Sequence, residues 1–314
     1  MDPLRRGYLY ALTANVLWGG FPLYFHALRP AGAVEVLAHR IVWSLVSMVL
    51  VLVVIRHWRS VGQLLRQPKR MAGFAAAAVL IAVNWGVYIF AVNTDRVVEA
   101  SLGYFINPLF VILLGVLILR ERLRALQWVA LGIGAVAVVI LSVDYGQLPW
   151  IALTLAASFG CYGLAKKRLG LPAAEGLFLE SGVLTLPALV YLLWLTSQHQ
   201  STFGTVSAWH SVMLAGSGLL TAVPLLLFAE AANRVPLSGL GILQYLTPTL
   251  QLIIGVAVFS EPLPPVRLAG FVIVWCALAL FSWDAFRTAR RNRAERESAA
   301  TTAANEPATV GAAE

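Results

Sequence analysis

An all-α membrane protein of ten transmembrane helices, built as two inverted five-helix repeats, is the fold class this sequence predicts. Three observations predict it. Of the 314 residues, 59% are hydrophobic and only 12% are charged. Soluble domains carry roughly 25% charged residues and cannot leave this much apolar surface in water, so the bilayer must be the solvent. The chain also echoes itself: Pro108, Gly115, Val116, Glu121 and Leu123 recur 140 residues later as Pro248, Gly255, Val256, Glu261 and Leu263. Finally, the basic residues fall almost entirely on one side of the apolar runs.

The echo extends beyond one block. Ala137, Ser142 and Asp144 recur as Ala277, Ser282 and Asp284 at the same offset of 140. Ala91, Arg96, Val97, Leu102 and Gly103 match Ala229, Arg234, Val235, Leu240 and Gly241 at an offset of 138. Ala11, Leu12, Thr13, Gly19 and Leu23 match Ala152, Leu153, Thr154, Gly160 and Leu164 at 141. Collinear blocks at nearly one offset indicate duplication, and transporters lead the duplicated membrane proteins.

A span needs about 20 apolar residues to cross roughly 30 Å of hydrocarbon. In chain order the runs are 7–27, 33–55, 71–93, 98–119, 125–143, 148–165, 174–196, 210–232, 238–259 and 265–286. The first flows directly into the second and is read as a retained anchor rather than a cleaved leader. Helices are expected because every backbone N–H and C=O must be paired internally in lipid. Runs such as 46–55 lack the alternation of a barrel strand.

With the N-terminus placed in the cytoplasm, cytoplasmic segments hold nineteen Lys and Arg residues against Arg29, Arg96 and Arg267 outside. That asymmetry predicts both termini cytoplasmic. It also accounts for the net charge of +8 without nucleic acid. Five spans per repeat is odd, so the second copy enters upside down, and such halves share a cavity across an in-plane pseudo-two-fold axis. The expected units are a first repeat over 1–146, an inverted second repeat over 147–290, and a disordered cytoplasmic tail over 291–314.

Several chemistries find no support. Cys161 and Cys276 sit in separate apolar runs, which offers neither a disulfide framework nor a metal knuckle. No histidine pair has metal-ligand spacing, and His57, His199 and His210 read as surface loop residues. No nucleophile–base set or phosphate-binding loop is present, so neither an enzyme nor a bound cofactor is expected. Gly132 and Gly134 read as close-contact positions between helices.

Several segments resemble the RarD family, described as chloramphenicol-sensitive permeases. They are 39–44 (His-Arg-Ile-Val-Trp-Ser), Asn84-Trp85, the stretch from Glu99 to Pro108, and Gln244-Tyr245 followed by Pro248-Thr249. Trp18-Gly19 is a marker shared with the wider EamA group of drug/metabolite transporters. The resemblance runs along the chain except its tail. It implies two EamA-type repeats in a bacterial inner-membrane carrier, with export of small molecules powered by an ion gradient; protons are the candidate ion. A lipid-handling or lipid-scrambling protein on the same bundle is the alternative. Oligomeric state is not legible.

Charges at bilayer depth cost at least ~2.5–3.5 kcal/mol each, so each needs a partner or a wet cavity. Arg40 lies about 10 Å below the outer surface by helical rise, with His39 beside it. Glu180 stands at the matching position of the seventh span but, in an inverted copy, near the inner surface. Direct pairing of the two is not expected. Arg40 is a candidate anion-attracting group and Glu180 a candidate coupling group; packing between spans is the other reading of each. Asn84, Trp85, Tyr88, Tyr104, Asn107, Gln244 and Tyr245 are the candidate cavity lining, with Asn15 and Gln251 in the same uncharged polar set, against the reading that such groups merely glue helices. Pro108 and Pro248 are candidate hinges, each freeing a carbonyl one turn earlier. Glu230 and Arg234 suit an i,i+4 ion pair. Glu35 and Glu175 suit helix starts. Glu99 reads as solvated, and Glu121 and Glu261 as interfacial. The mismatched copies, Arg40 against Glu180 and Asn107 against Thr247, mark where a substrate is to be sought.

Overall fold

A computed structural model describes residues 2–56, 58–120, 123–169 and 173–305. The first apolar run forms α1 (Pro3–Gly19) and α2 (Phe21–Ala27), broken at Gly20 where Pro22 follows. A proline withholds a backbone donor from the helix interior but is accepted in a first turn. Then come α3 (Ala33–Ile55), α4 (Trp58–Leu65), α5 (Pro68–Asn93), α6 (Val97–Leu119) and α7 (Ala125–Asp144). The second half holds α8 (Trp150–Leu169), α9 (Ala173–Ser197), α10 (Ala208–Ala232), α11 (Leu237–Gln244), α12 (Leu246–Ile253) with a π turn at Ile254–Val258, and α13 (Pro265–Asn305).

Among the described residues, eight helical segments are long and apolar enough to cross a membrane. The two remaining expected spans fall short for visible reasons. The first is split at Gly20, and α8 ends in Lys166, Lys167 and Arg168. The outer surface is apolar: Leu186 and Leu193 of α9 are 71% and 70% exposed. Water does not tolerate so broad a face, whereas lipid does.

The halves interlock helix for helix. α3 packs on α9, α7 on α13 and α6 on α12, so each lies against its own copy. α5 on α8 is mirrored by α10 on α1, and α6 on α8 by α11 and α12 on α1. The repeated aspartates explain one pairing. Arg124, at the start of α7, reaches Asp284 of α13 at 2.6 Å, while Arg267, at the start of α13, reaches Asp144 at the end of α7 at 3.0 Å. Each helix's start is held by an aspartate well along the other, so α7 and α13 run antiparallel.

Three details depart from the sequence expectations. α4 lies between the second and third apolar runs, buries Val61 and Leu64, and sets Trp58 edge-on to Phe178. At eight residues it is too short to register as a span. The last helix continues to Asn305, past the expected tail boundary at 291. Residues 294–304 are rich in Ala, Glu and Arg, strong helix formers. The remaining tail residues, 306–314, together with Glu121 and His57, lie outside the described residues. Gly134 is pressed against Leu109 as a contact glycine should be, but a Cβ at Gly132 would meet nothing within 4 Å.

Candidate functional site

The most deeply buried cation among the described residues is Arg40, the eighth residue of α3 and 4% exposed. Its Nε donates to Thr221 Oγ1 of α10 at 2.8 Å. Its guanidinium carbon lies 4.1 Å from the Trp85 ring centroid and 5.4 Å from those of Phe21 and Phe25. Three aromatic faces stabilise the cation through their quadrupoles, by about 0.5–2 kcal/mol each when desolvated. Among the described residues no carboxylate lies within ion-pair distance of it. The hydroxyls of Tyr24, Tyr88 and Tyr104 sit within its electrostatic reach.

Around this cation runs a polar network drawn from both halves. Tyr104 donates to Asn84 Oδ1 at 3.2 Å, and the Asn84 amide donates to the Leu155 carbonyl and Ser158 Oγ of α8, each at 3.1 Å. Tyr24 donates to the Met213 carbonyl of α10. Gln251 of α12 donates to the Trp18 carbonyl at 3.2 Å. The Tyr88 hydroxyl and the Gln251 side chain, both buried, lie close enough to interact, although Tyr88 Oη and Gln251 Oε1 make no well-aligned hydrogen bond. Buried polar atoms are nearly always satisfied, and a small adjustment that lets Tyr88 donate to Gln251 Oε1 satisfies both.

Of the expected lining, Arg40, Asn84, Trp85, Tyr88 and Tyr104 come together here. Others do not. His39 points to the loop between α9 and α10, stacking 4.8 Å from Phe203 with Nε2 unpartnered. Asn107 faces Gly160 of α8, its Oδ1 also unpartnered. Gln244 is exposed, and Tyr245 packs against the α6–α7–α13 core. Gln244 ends α11, and Tyr245 keeps helical dihedrals at the junction with α12. The candidate hinges also differ: Pro108 sits inside an unbroken α6, whereas Pro248 follows the break at Tyr245. Gln251, of the same uncharged polar set, also comes here, whereas Thr221, Tyr24, Phe21 and Phe25 were not singled out as lining. No local motif betrays them, because they reach Arg40 only through packing.

Glu180 does not pair with Arg40. Its Oε1 accepts from Lys166 Nζ at 2.9 Å and its Oε2 from the Tyr162 hydroxyl at 3.0 Å, with the residue 1% exposed. At one end of the bundle, carboxylates act as clasps. Glu35 accepts from the Thr202 N–H at 2.7 Å and from Ser201 at 3.2 Å. Glu99 is buried rather than solvated: it pairs with Arg96 and accepts from the Ile151 N–H at the start of α8 at 3.2 Å. The start of α8 draws the carboxylate inward because its N–H groups have no intrahelical acceptor.

Glu261 is likewise buried, accepting from the N–H groups of Val97 and Val98 at 2.6 and 2.7 Å. Burial pushes its carboxyl up from the usual range, while those two N–H groups pull it back. His210 is no loop residue but the third residue of α10, hydrogen-bonded to Thr202. Glu230 and Arg234 form the expected i,i+4 pair.

An all-helical bundle of two interlocked, echoing halves with a polar core has the construction of a membrane transporter. The sequence profile of the EamA-like transporter family matches residues 5–143 and again 148–283. The chain is 53% identical over 304 residues to "Protein RarD" of Streptomyces exfoliatus, covering 97% of this chain and 96% of that protein. It is 45% identical over 292 residues to "Uncharacterized transporter YojE" of Bacillus subtilis (strain 168), covering 92% and 97%. A solved crystal structure, 19% identical with a TM-score of 0.57, covers 87% of this chain and 96% of its own; that likeness shows the fold alone. The chain belongs to the EamA-like transporter family and, within it, to the RarD family. It is a multi-pass membrane transporter, not an enzyme.

Proposed function

We propose that the protein is a secondary-active exporter of a small organic metabolite or drug, working by alternating access across the bacterial cytoplasmic membrane. In this reading all ten apolar segments span, the second five inverted relative to the first, and both termini are cytoplasmic. The antiparallel α7–α13 pair and the charge asymmetry of the loops support that orientation. The split first span is no obstacle, since broken helices are common where they line a cavity.

One observation carries the reading: the cluster around Arg40 takes Asn84, Trp85, Tyr88 and Tyr104 from one half and Thr221 and Gln251 from the other. A site shared between interlocked halves changes its exposure when they rock against each other. Glu180, nearer the other face, is the coupling candidate, with protons the ion.

Purified protein in proteoliposomes tests this by solute counterflow, with organic acids, amides and amphenicols as probes and a fluorescent-lipid scrambling assay in the same vesicles. Saturable flux accelerated by solute on the opposite side, with lipids left unscrambled, is expected. Scrambling without solute flux would overturn the reading in favour of lipid handling.

A further inference from the structure

The two repeats use one position for opposite charges, and they neutralise them differently. Glu180 is the copy of Arg40 at an offset of 140, a register supported by Glu35 and Glu175. At the offset of 141 that relates the first spans, Tyr162 is the copy of Phe21 and Lys166 the copy of Phe25. In the second repeat those copies hydrogen-bond the buried carboxylate, at 3.0 Å from Tyr162 and 2.9 Å from Lys166. In the first repeat they are phenyl rings, each 5.4 Å from the guanidinium carbon. The second repeat therefore carries its own counter-charge; among the described residues, the first does not.

A desolvated guanidinium is costly without an anion, and aromatic faces offset only part of that cost. Arg40 spends Nε on Thr221, which leaves its terminal nitrogens for a planar, two-oxygen acceptor; a carboxylate matches that fork. The Tyr88 hydroxyl, within electrostatic reach of Arg40 and without a well-aligned bond to Gln251, adds a donor for the same ligand. Trp85, Phe21 and Phe25 give the surroundings an apolar character suited to a hydrocarbon body.

We propose that Arg40 is the anchor for the carboxylate of a small organic acid, the ligand supplying the negative charge that Glu180 receives internally from Lys166 in reversed sign. This rests on the transporter reading and names its substrate class. Because Arg40 is 4% exposed, the ligand reaches it only as the surrounding helices part.

The test is thermal unfolding of the purified full chain against monocarboxylates from acetate to indole-3-acetate, each beside its neutral amide and beside inorganic phosphate. At least one carboxylate with an apolar body should stabilise saturably, with its amide and phosphate roughly tenfold weaker or worse, the factor for one lost charge-assisted hydrogen bond. Arg40→Gln should raise the half-saturating concentration by a similar factor, and Arg40→Lys by less. Amides equal to acids, phosphate equal to acids, no response from any acid, or an unchanged response in Arg40→Gln would each overturn the proposal. Should that variant not fold, the acid–amide comparison on the unaltered protein decides. Counterflow of neutral solutes with no carboxylate binding would leave the transporter reading standing and remove this one. Carboxylate binding without flux would do the reverse.

Discussion

Lys166→Met is expected to destabilise the protein by about 3–5 kcal/mol, the usual cost of removing one partner from a buried ion pair. Glu180, 1% exposed, would be left with the Tyr162 hydroxyl alone. Adding Glu180→Leu should restore most of that loss, because replacing a buried pair by apolar groups is often neutral or better. Thermal unfolding of the two single variants and the double variant closes the cycle. A Lys166→Met cost under about 0.5 kcal/mol would mean the pair behaves as an exposed one. The double variant also separates packing from transport. If Glu180 couples movement to protons, the stable double variant should move solute down its gradient but ignore a pH gradient.

The second large effect is expected at Gly218, where α10 crosses α3. A Cβ there would fall inside van der Waals contact with the Trp43 carbonyl and 2.8 Å from the Ser44 backbone nitrogen. Both are backbone atoms, so no rotamer change relieves the clash and the helices must part. Gly218→Ala should cost about 1–3 kcal/mol, as overpacking does, and Gly218→Val more. Thr221 lies nearly one turn on, so the same shift should loosen its 2.8 Å bond to Arg40 and weaken binding along with stability. Gly132→Ala is the control: with nothing within 4 Å, it should be neutral or gain up to about 1 kcal/mol from helix propensity. Comparable losses at both positions would show that the α3–α10 crossing is not tight.

Much of the fold was legible because duplication leaves identical residues at fixed offsets and lipid demands long apolar runs. Pro248, Gly255 and Asp284 announced the second half before any helix was seen. The recurring aspartates found their meaning only in three dimensions, where Asp144 and Asp284 each hold the start of the opposite helix. The site was half legible. Arg40 stood out because a charge inside an apolar run is unmistakable, and Trp85, Tyr88 and Tyr104 lie in conspicuous polar or aromatic segments. Thr221 did not stand out, since a lone hydroxyl in a span usually serves packing.

Gln244 misled because a polar side chain within an apolar run reads as cavity lining, whereas Gln244 lies on an exposed face. Glu99 misled because Asp95 and Arg96 advertise a wet loop, while the start of α8 draws the carboxylate inward. The pairing of Glu180 with Lys166 was beyond sequence reasoning: the two are 14 residues apart on different helices, and only packing brings them together.

The account stands or falls on whether the core around Arg40 opens in turn to each side of the membrane. Ser44 lies one helical turn from Arg40 on the same face of α3, fully buried, with its hydroxyl unpartnered. With Cys161 and Cys276 replaced by alanine and Ser44 by cysteine, a membrane-impermeant maleimide can be applied to sealed vesicles from either side. The account predicts labelling from both faces, slowed in each case by a carboxylate that binds. Labelling from one face only under every condition, or from neither, would contradict it.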